Sequence, residues 1–394
     1  MNSFFEYIII GAGIAGIKAA EGIRMVDANG EIVIVNGEDR MPYKRTQLSK
    51  HLDKGFEKEA FMLYPQEWYE KNNIRIIHAK VKSVSLIHKN MTLFAAGQLQ
   101  WGKLILATGS SPVPLMVKGN GKSEILYFRN AADAEALLDR TSGLQKVIVA
   151  GGGVLGVELA AAMNQLGKTV SLVHNDPFLM NRHFDEYQSD HLYQLMSSNG
   201  IQLLMHERVK SVSKTGSGKL LVEIGEMIQL LTDQLIAARG VYPAIELARQ
   251  AGLDTQTGIL VNQMLQTSHP DVYAAGDVAQ HADKFVSGLW HDAENQGLIA
   301  GQNAAGRQIK RSARTYRLKL EVFGQFYFSF NKPAVLPSKD EIIRETNRMY
   351  HRFFFSNEKL VGALMLNDRE RAKMLEKAVV EAWEKEKVMQ CFTG

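Results

Sequence analysis

Only one cysteine, Cys391, occurs in the 394 residues. A lone thiol excludes an intramolecular disulfide, a cysteine-ligated iron–sulfur cluster and a cysteine-built zinc site, each of which needs at least two. Redox chemistry on this chain therefore calls for a bound organic cofactor. Long apolar runs are also missing: no uncharged stretch reaches the ~18 residues of a membrane span. Met1 leads through Glu6 into an apolar strand with no basic region or cleavage site, which reads as cytoplasmic. Charge of one sign is scarce too. The 46 Lys and Arg stand against 42 Asp and Glu, a net +4. So small an excess does not call for nucleic acid, and neither a recognition module nor repeated aromatic–basic interleaving is found. What remains is an ordinary globular composition, 45% hydrophobic and 22% charged, at a length that suits two or three domains.

The strongest positive signal is an internal echo. An apolar strand at 7–10 runs into GAGIAG, with Gly11, Gly13 and Gly16, and then into an alanine-rich helix. About 140 positions further on, a strand at 147–150 runs into GGGVLG, with Gly151, Gly153 and Gly156. A second apolar strand follows in each copy, at 31–35 and at 169–173. Both are βαβ openings of the dinucleotide-binding kind. The first glycine makes the tight turn, the second admits a pyrophosphate to the backbone, and the third lets helix pack on strand, with the helix N-terminus facing the negative charge. One such turn is weak evidence; two in this context are strong.

Between the copies lies LILATGSSP, and after the second comes SHPDVYAAGDVAQ, a short strand ending in Gly276-Asp277. From about Arg307 the character changes to a basic segment, RQIKRSARTYRLKL, with six Lys or Arg and no acid. Aromatic-rich strands follow, and then one helix over 368–388 with Leu375, Val379 and Trp383 on a buried face. These features predict an α/β chain with two Rossmann-like dinucleotide-binding domains and a small α+β C-terminal domain. The expected boundaries are 1–115 with 241–308 for the first domain, 116–240 for the second and 309–394 for the third.

The ordered set GAGIAG, LILATGS, GGGVLGVE and YAAGD resembles the two-dinucleotide flavoproteins of the pyridine nucleotide-disulfide reductase superfamily over nearly the whole chain. PYKRTQLSK at 42–50 resembles the segment of its cysteine-free branch, the rubredoxin reductases, the ferredoxin reductases of oxygenase systems and the flavin module of nitrite reductases. VHNDPFLMNRHFD and GLWHDAENQGLIAGQNAAG resemble further stretches of that branch. The resemblance implies FAD held by Gly11, Gly13 and Gly16 at its pyrophosphate, Glu38 at the adenosine ribose, Arg45 at the phosphates and the backbone at Val81 near the adenine. It further implies Thr108 and Gly109 along the FAD, Asp277 at the ribitol chain, the helix beginning near Trp290 aimed at the ring system, and Arg129 as an additional FAD contact. Gly151, Gly153 and Gly156 would take the NAD(P)H pyrophosphate, and Gly240 the nicotinamide ribose. Lys50 and Glu158 would meet as an ion pair beside the flavin, the positive charge favouring the reduced, anionic ring. The alternative for these two is a solvated lysine and a first-turn helix glutamate.

Two positions depart from the pattern. Where a Glu or Asp usually ends the second strand to accept from the ribose hydroxyls, this chain has His174. A neutral ring hydrogen-bonds a ribose and a protonated one tolerates a 2′-phosphate, so the donor stays open between NADH and NADPH, with NADH favoured by the resemblance. The segment matching TGVRPN reads ARGVYPA, with Tyr242 and Ala244 replacing Arg and Asn. The implied activity is electron transfer from a nicotinamide nucleotide through flavin to a small acidic iron-containing carrier protein, with Phe323 and its neighbours covering the flavin edge and the basic segment docking the carrier. An oxidase that reduces oxygen, or a flavin subunit of a larger assembly, are the competing readings.

Overall fold

The computed structural model describes residues 3–52, 61–94, 97–282, 286, 288–311, 316–331, 340–346 and 349–392. The chain divides into two compact units: Met1–Leu48, Phe56–Ser111 and Val241–Arg314 form the first, and Ser49–Gly55, Pro112–Gly240 and Thr315–Gly394 form the second. The expected second and C-terminal domains thus fall within one unit.

In the first unit, strand β1 (Ser3–Ile10) leads through the GAGIAG turn into helix α1 (Ile14–Arg24) and strand β2 (Ile32–Asn36). β1 lies between β2 and the strand Gly97–Leu106, parallel to both, and Val272–Ala274 adds a further parallel strand beyond the latter. Parallel strands are buried on both faces, which is why β1 and β2 read as near-continuous Ile and Val; Ile8, Ile9, Val33 and Ile34 are each 0% exposed. The helix Trp290–Ala304 packs along α1 at unusually short range. A Cβ on Gly297 would stand 2.2 Å from the Ala15 carbonyl oxygen, and one on Gly301 would stand 2.0 Å from that of Ala19. Only glycine lets the two backbones approach this closely.

The second unit repeats the plan. Strand β3 (Lys146–Ala150), helix α2 (Val154–Gln165) and strand β4 (Thr169–His174) form its βαβ opening. β3 and β4 belong to a five-stranded, all-parallel sheet with Gln202–Met205, Gln234–Ala237 and Leu126–Tyr127. The same unit carries a five-stranded antiparallel sheet, in the order Arg317–Val322, Gln325–Phe330, Lys359–Leu366, Tyr350–Ser356 and Asp340–Glu345, with its own aromatic core of Phe328, Phe330, Phe353 and Phe355. The helix expected over 368–388 is two helices, Ala372–Val380 and Lys385–Cys391. The chain turns between them at Ala382, whose φ is +50°. Leu375 and Val379 are buried as the spacing predicts, whereas Trp383 sits past the first helix and only partly buried.

Candidate functional site

The two glycine turns share one geometry. At Gly11, with φ +109°, a Cβ would fall 2.2 Å from the Ala107 carbonyl oxygen; at Gly151, with φ +130°, it would fall 2.2 Å from that of Ala238. On the third glycines, Gly16 and Gly156, a Cβ would collide with the first-glycine carbonyl oxygens at 1.9 and 1.8 Å. The second glycines differ in kind: a Cβ on Gly13 or Gly153 would meet nothing within 4 Å. First and third glycines are therefore demanded by packing, while the second leaves an open approach to the backbone. Gly13 and Gly153 are also the N-caps of α1 and α2, and neither helix start carries a side-chain cap. The unclaimed N–H groups and the positive end of each helix dipole suit a phosphate.

Around the first turn the structure gathers Glu38, Arg45, Thr108, Gly109 and Asp277. Arg45 Nη2 donates to Glu38 Oε1 at 2.6 Å, and the Tyr43 hydroxyl donates to Glu38 Oε2 at 2.7 Å. Burial works against the Arg45 charge, but Tyr43, Glu38 and Asp277 outweigh it and raise its pKa. The Ser110 hydroxyl donates to Asp277 Oδ2 at 2.7 Å. Thr108 Oγ1 donates to the Ala244 carbonyl at 2.9 Å, and the Ala244 N–H donates to the Gly109 carbonyl at 3.0 Å, which ties the two loops together. The Gly276 N–H donates to Gln296 Oε1, Gln296 Nε2 donates to Asp292 Oδ2, and Asp292 pairs with Arg311. A buried relay thus fixes the Gly276-Asp277 turn to the start of the Trp290–Ala304 helix. Val81 opens the strand Val81–Ser85 of the same unit, half-buried.

Lys50 and Glu158 lie in the second unit and come together there, with Lys50 Nζ 3.7 Å from Glu158 Oε1. Glu158 stands in the second turn of α2 and not in its first, so a first-turn dipole role does not explain it. Its other oxygen accepts from the Ser49 hydroxyl at 2.6 Å. Burial raises the Glu158 pKa, and Lys50 and Ser49 pull it back only in part. Ser49, 4% exposed, was not singled out from the sequence; its place beside Lys50 in TQLSK is the signal that could have found it.

His174 ends β4 with its ring 9% exposed. Its Nδ1 accepts from the Gly152 N–H at 3.1 Å, so the proton of the neutral ring is on Nε2. Burial lowers its pKa, opposed by Asp176 and the Phe178 carbonyl. The protonated ring that would favour a 2′-phosphate is thus disfavoured. Gly240, with φ +94° and open space around it, follows the strand Gln234–Ala237. Arg129 is in the second unit, where its N–H donates to Asp133 in the capping box of the helix Ala131–Thr141. Two cations of the basic segment are paired within the fold. Arg311 and Asp292, each 8% exposed, form a buried pair, and Arg317 pairs with Glu376; residues 312–315 lie outside the described residues. Among the described residues no helix is long and apolar enough to cross a membrane, and no group of three or more His, Cys, Asp or Glu could hold a metal.

Two α/β folds, each with a parallel βαβ opening and an uncapped helix start behind a glycine turn, define a double-Rossmann protein of the dinucleotide-binding class. The family described as pyridine nucleotide-disulphide oxidoreductase matches residues 5–297, and the chain belongs to that family. It is 28% identical over 94% of its length to the assimilatory nitrate reductase electron transfer subunit of Bacillus subtilis, of which it spans 48%. With the rubredoxin-NAD(+) reductase of Pseudomonas putida it shares 30% identity over 76% of this chain and 80% of that one. The structure of NADH:rubredoxin oxidoreductase from Clostridium acetobutylicum superposes with a TM-score of 0.78 at 25% identity, covering 97% of this chain and 96% of that one. The chain spans about half the length of its Bacillus relatives, the nitrate reductase subunit and a nitrite reductase, at 48% and 46%.

Proposed function

We propose that this protein is an FAD-dependent oxidoreductase that takes a hydride from NADH and passes the electrons to a small iron-containing carrier protein of the rubredoxin or ferredoxin type. The observation that carries the reading is the Ser49–Lys50–Glu158 cluster in a family member whose one cysteine, Cys391, ends its last described helix. The chain carries this charged pair and has no dithiol to offer, so the acceptor is reached through the cofactor alone.

The residues present fit FAD. Gly13 leaves its approach open, the start of α1 has free N–H groups, and Asp277 and the Glu38 carboxylate supply hydroxyl acceptors near that turn. When bound, FAD accepts two electrons as a hydride and can release them one at a time, which a nicotinamide does not do readily. The chain's part is electrostatic and positional. Lys50 would supply the positive charge that an anionic reduced flavin calls for, and Glu158, held by the Ser49 hydroxyl, fixes the lysine. The open Gly153 and the free helix start behind it seat the nicotinamide nucleotide. Among the described residues of the basic segment, exposed Arg307 and Lys310 are best able to speed encounter with an acidic carrier.

Stopped-flow reduction of the yellow holoprotein by NADH and by NADPH, followed by reoxidation with air, rubredoxin and ferredoxin at two ionic strengths, tests this. Rapid bleaching by NADH with salt-sensitive reoxidation by a carrier is the expected result. Fast reoxidation by air alone would point to an oxidase, and failure of both nucleotides to bleach the flavin would overturn the hydride mechanism in favour of an assembly subunit.

A further inference from the structure

The internal echo can be read residue against residue, because strand register aligns the two copies. Ile10, the last residue before the first turn, faces Val35, and Ala150, the last before the second, faces Val173. The turn amides repeat the match: the Gly11 N–H donates to the Val35 carbonyl at 2.9 Å, and the Gly151 N–H donates to the Val173 carbonyl at 2.8 Å. Counting onward, His174 takes the place of Asn36, Asn175 that of Gly37, and Asp176 that of Glu38. The strand-end histidine is therefore not the counterpart of the first unit's acid. That counterpart is Asp176, two residues beyond the end of β4.

We propose that Asp176 is the residue by which the second unit selects a nicotinamide nucleotide with a free ribose 2′-hydroxyl over one carrying a 2′-phosphate. The inference rests on the proposed function only in placing the nicotinamide nucleotide on the second unit. Asn175 Nδ2 donates to Asp176 Oδ1 at 3.2 Å, Asn181 Nδ2 donates to Oδ2 at 2.9 Å, and His174 Nε2 is 3.7 Å from Oδ2. These partners are amides and an imidazole, and among the described residues no Lys or Arg pairs with this carboxylate. Glu38, by contrast, is neutralised by Arg45. The Asp176 side chain is 40% exposed. An ionised carboxylate has about four acceptor positions, so lone pairs remain for ribose hydroxyls while the uncompensated charge repels a phosphate.

His174 serves as the rim that holds this loop. A Cβ on Gly152 would stand 2.6 Å from the histidine ring, so the ring is seated directly on the glycine turn. Its Nδ1 is taken by Gly152, while Nε2–H is buried without a well-aligned acceptor. Nε2 itself lies 3.7 Å from Asp176 Oδ2, so the ring that rests on the glycine turn also stands beside the acid.

Equilibrium binding of NADH and NADPH to the holoprotein, by titration calorimetry, tests the inference in the native chain, Asp176→Asn and His174→Gln. The native protein is expected to prefer NADH. Asp176→Asn is expected to weaken NADH binding by roughly tenfold or more, the effect of losing a hydrogen bond to a charged group, and to leave NADPH binding unchanged or tighter. An unchanged NADH-to-NADPH ratio in Asp176→Asn, or a ratio that moves in His174→Gln but not in Asp176→Asn, would overturn it while the native protein still binds and is reduced by NADH. Failure of the native protein to bind either nucleotide would overturn both this inference and the proposed function.

Discussion

Burial of the Glu158 carboxylate raises its pKa, and the Lys50 charge and the Ser49 hydroxyl only partly counter it. A carboxyl group whose folded pKa lies above its unfolded value stabilises the fold below the unfolded value, and that contribution is lost as pH rises through the folded one. At neutral pH the buried carboxyl group therefore costs stability relative to its contribution in acid. Glu158→Gln is expected to raise the thermal midpoint at neutral pH and to leave it unchanged below about pH 4.3, the ordinary glutamate value. The same change is expected to slow flavin reduction by roughly tenfold or more, a loss of about 1.4 kcal/mol at the transition state. Melting curves at the two pH values and single-turnover bleaching measure the two effects separately. The glycines allow a second separation of roles. Gly13→Ala adds a Cβ where nothing lies within 4 Å, so the apoprotein should lose no more than about 0.5 kcal/mol. FAD affinity in that variant should drop about tenfold or more, 1.4 kcal/mol in binding. Gly11→Ala, forced against the Ala107 carbonyl at φ +109°, should destabilise the apoprotein by at least about 1–3 kcal/mol. Denaturant unfolding of the two apoproteins and FAD titration distinguish them. These glycines were legible in the sequence because their spacing is set by backbone collision. Ser49 and Asp176 were not, since the one donates across 109 positions to Glu158 and the other becomes visible only through strand register.

The Trp290–Ala304 helix shows the limits of pattern at the next level up. Its start was legible, but not that Gly297 and Gly301 press it against the α1 backbone. Nor could charge counting reveal that Arg311, taken as a surface cation of the basic segment, is buried against Asp292. Removing one partner of a buried pair leaves the other charge uncompensated. Arg311→Ala is expected to cost about 3–5 kcal/mol, seen as a lowered denaturation midpoint, with the ionic-strength dependence of carrier reoxidation unaltered. The C-terminal helix failed for a related reason. Apolar spacing through Leu375, Val379 and Trp383 continues smoothly in the sequence, but Ala382 adopts a positive φ and the Trp383 N–H returns to the Ala378 carbonyl, which closes the helix.

At the scale of the molecule, the two βαβ openings were readable because their buried parallel strands repeat Ile and Val and the first of each runs into a glycine turn. The antiparallel strand Asp340–Glu345, with its alternating exposure, gave no comparable run and escaped the sequence. With Arg311 and Arg317 engaged internally, long-range steering falls to fewer charges than the count of six suggests. Replacing both Arg307 and Lys310 by Glu is expected to slow carrier reoxidation at low salt and to flatten its salt dependence, with NADH bleaching unchanged; stopped-flow traces at ~0.01 and ~0.15 M salt, Debye lengths near 30 and 8 Å, provide the check. The segment Ser49–Gly55 has a different consequence. In the sequence it interrupts the first nucleotide fold, yet it groups with the second unit, where Lys50 meets Glu158. Neither nucleotide fold can then be inherited as a contiguous stretch of gene. A recombinant that exchanged the second fold between relatives at the boundary near residue 112 would receive the glutamate from one parent and keep the lysine and serine from the other, so these three codons are expected to travel through evolution as a linked set despite the distance between them.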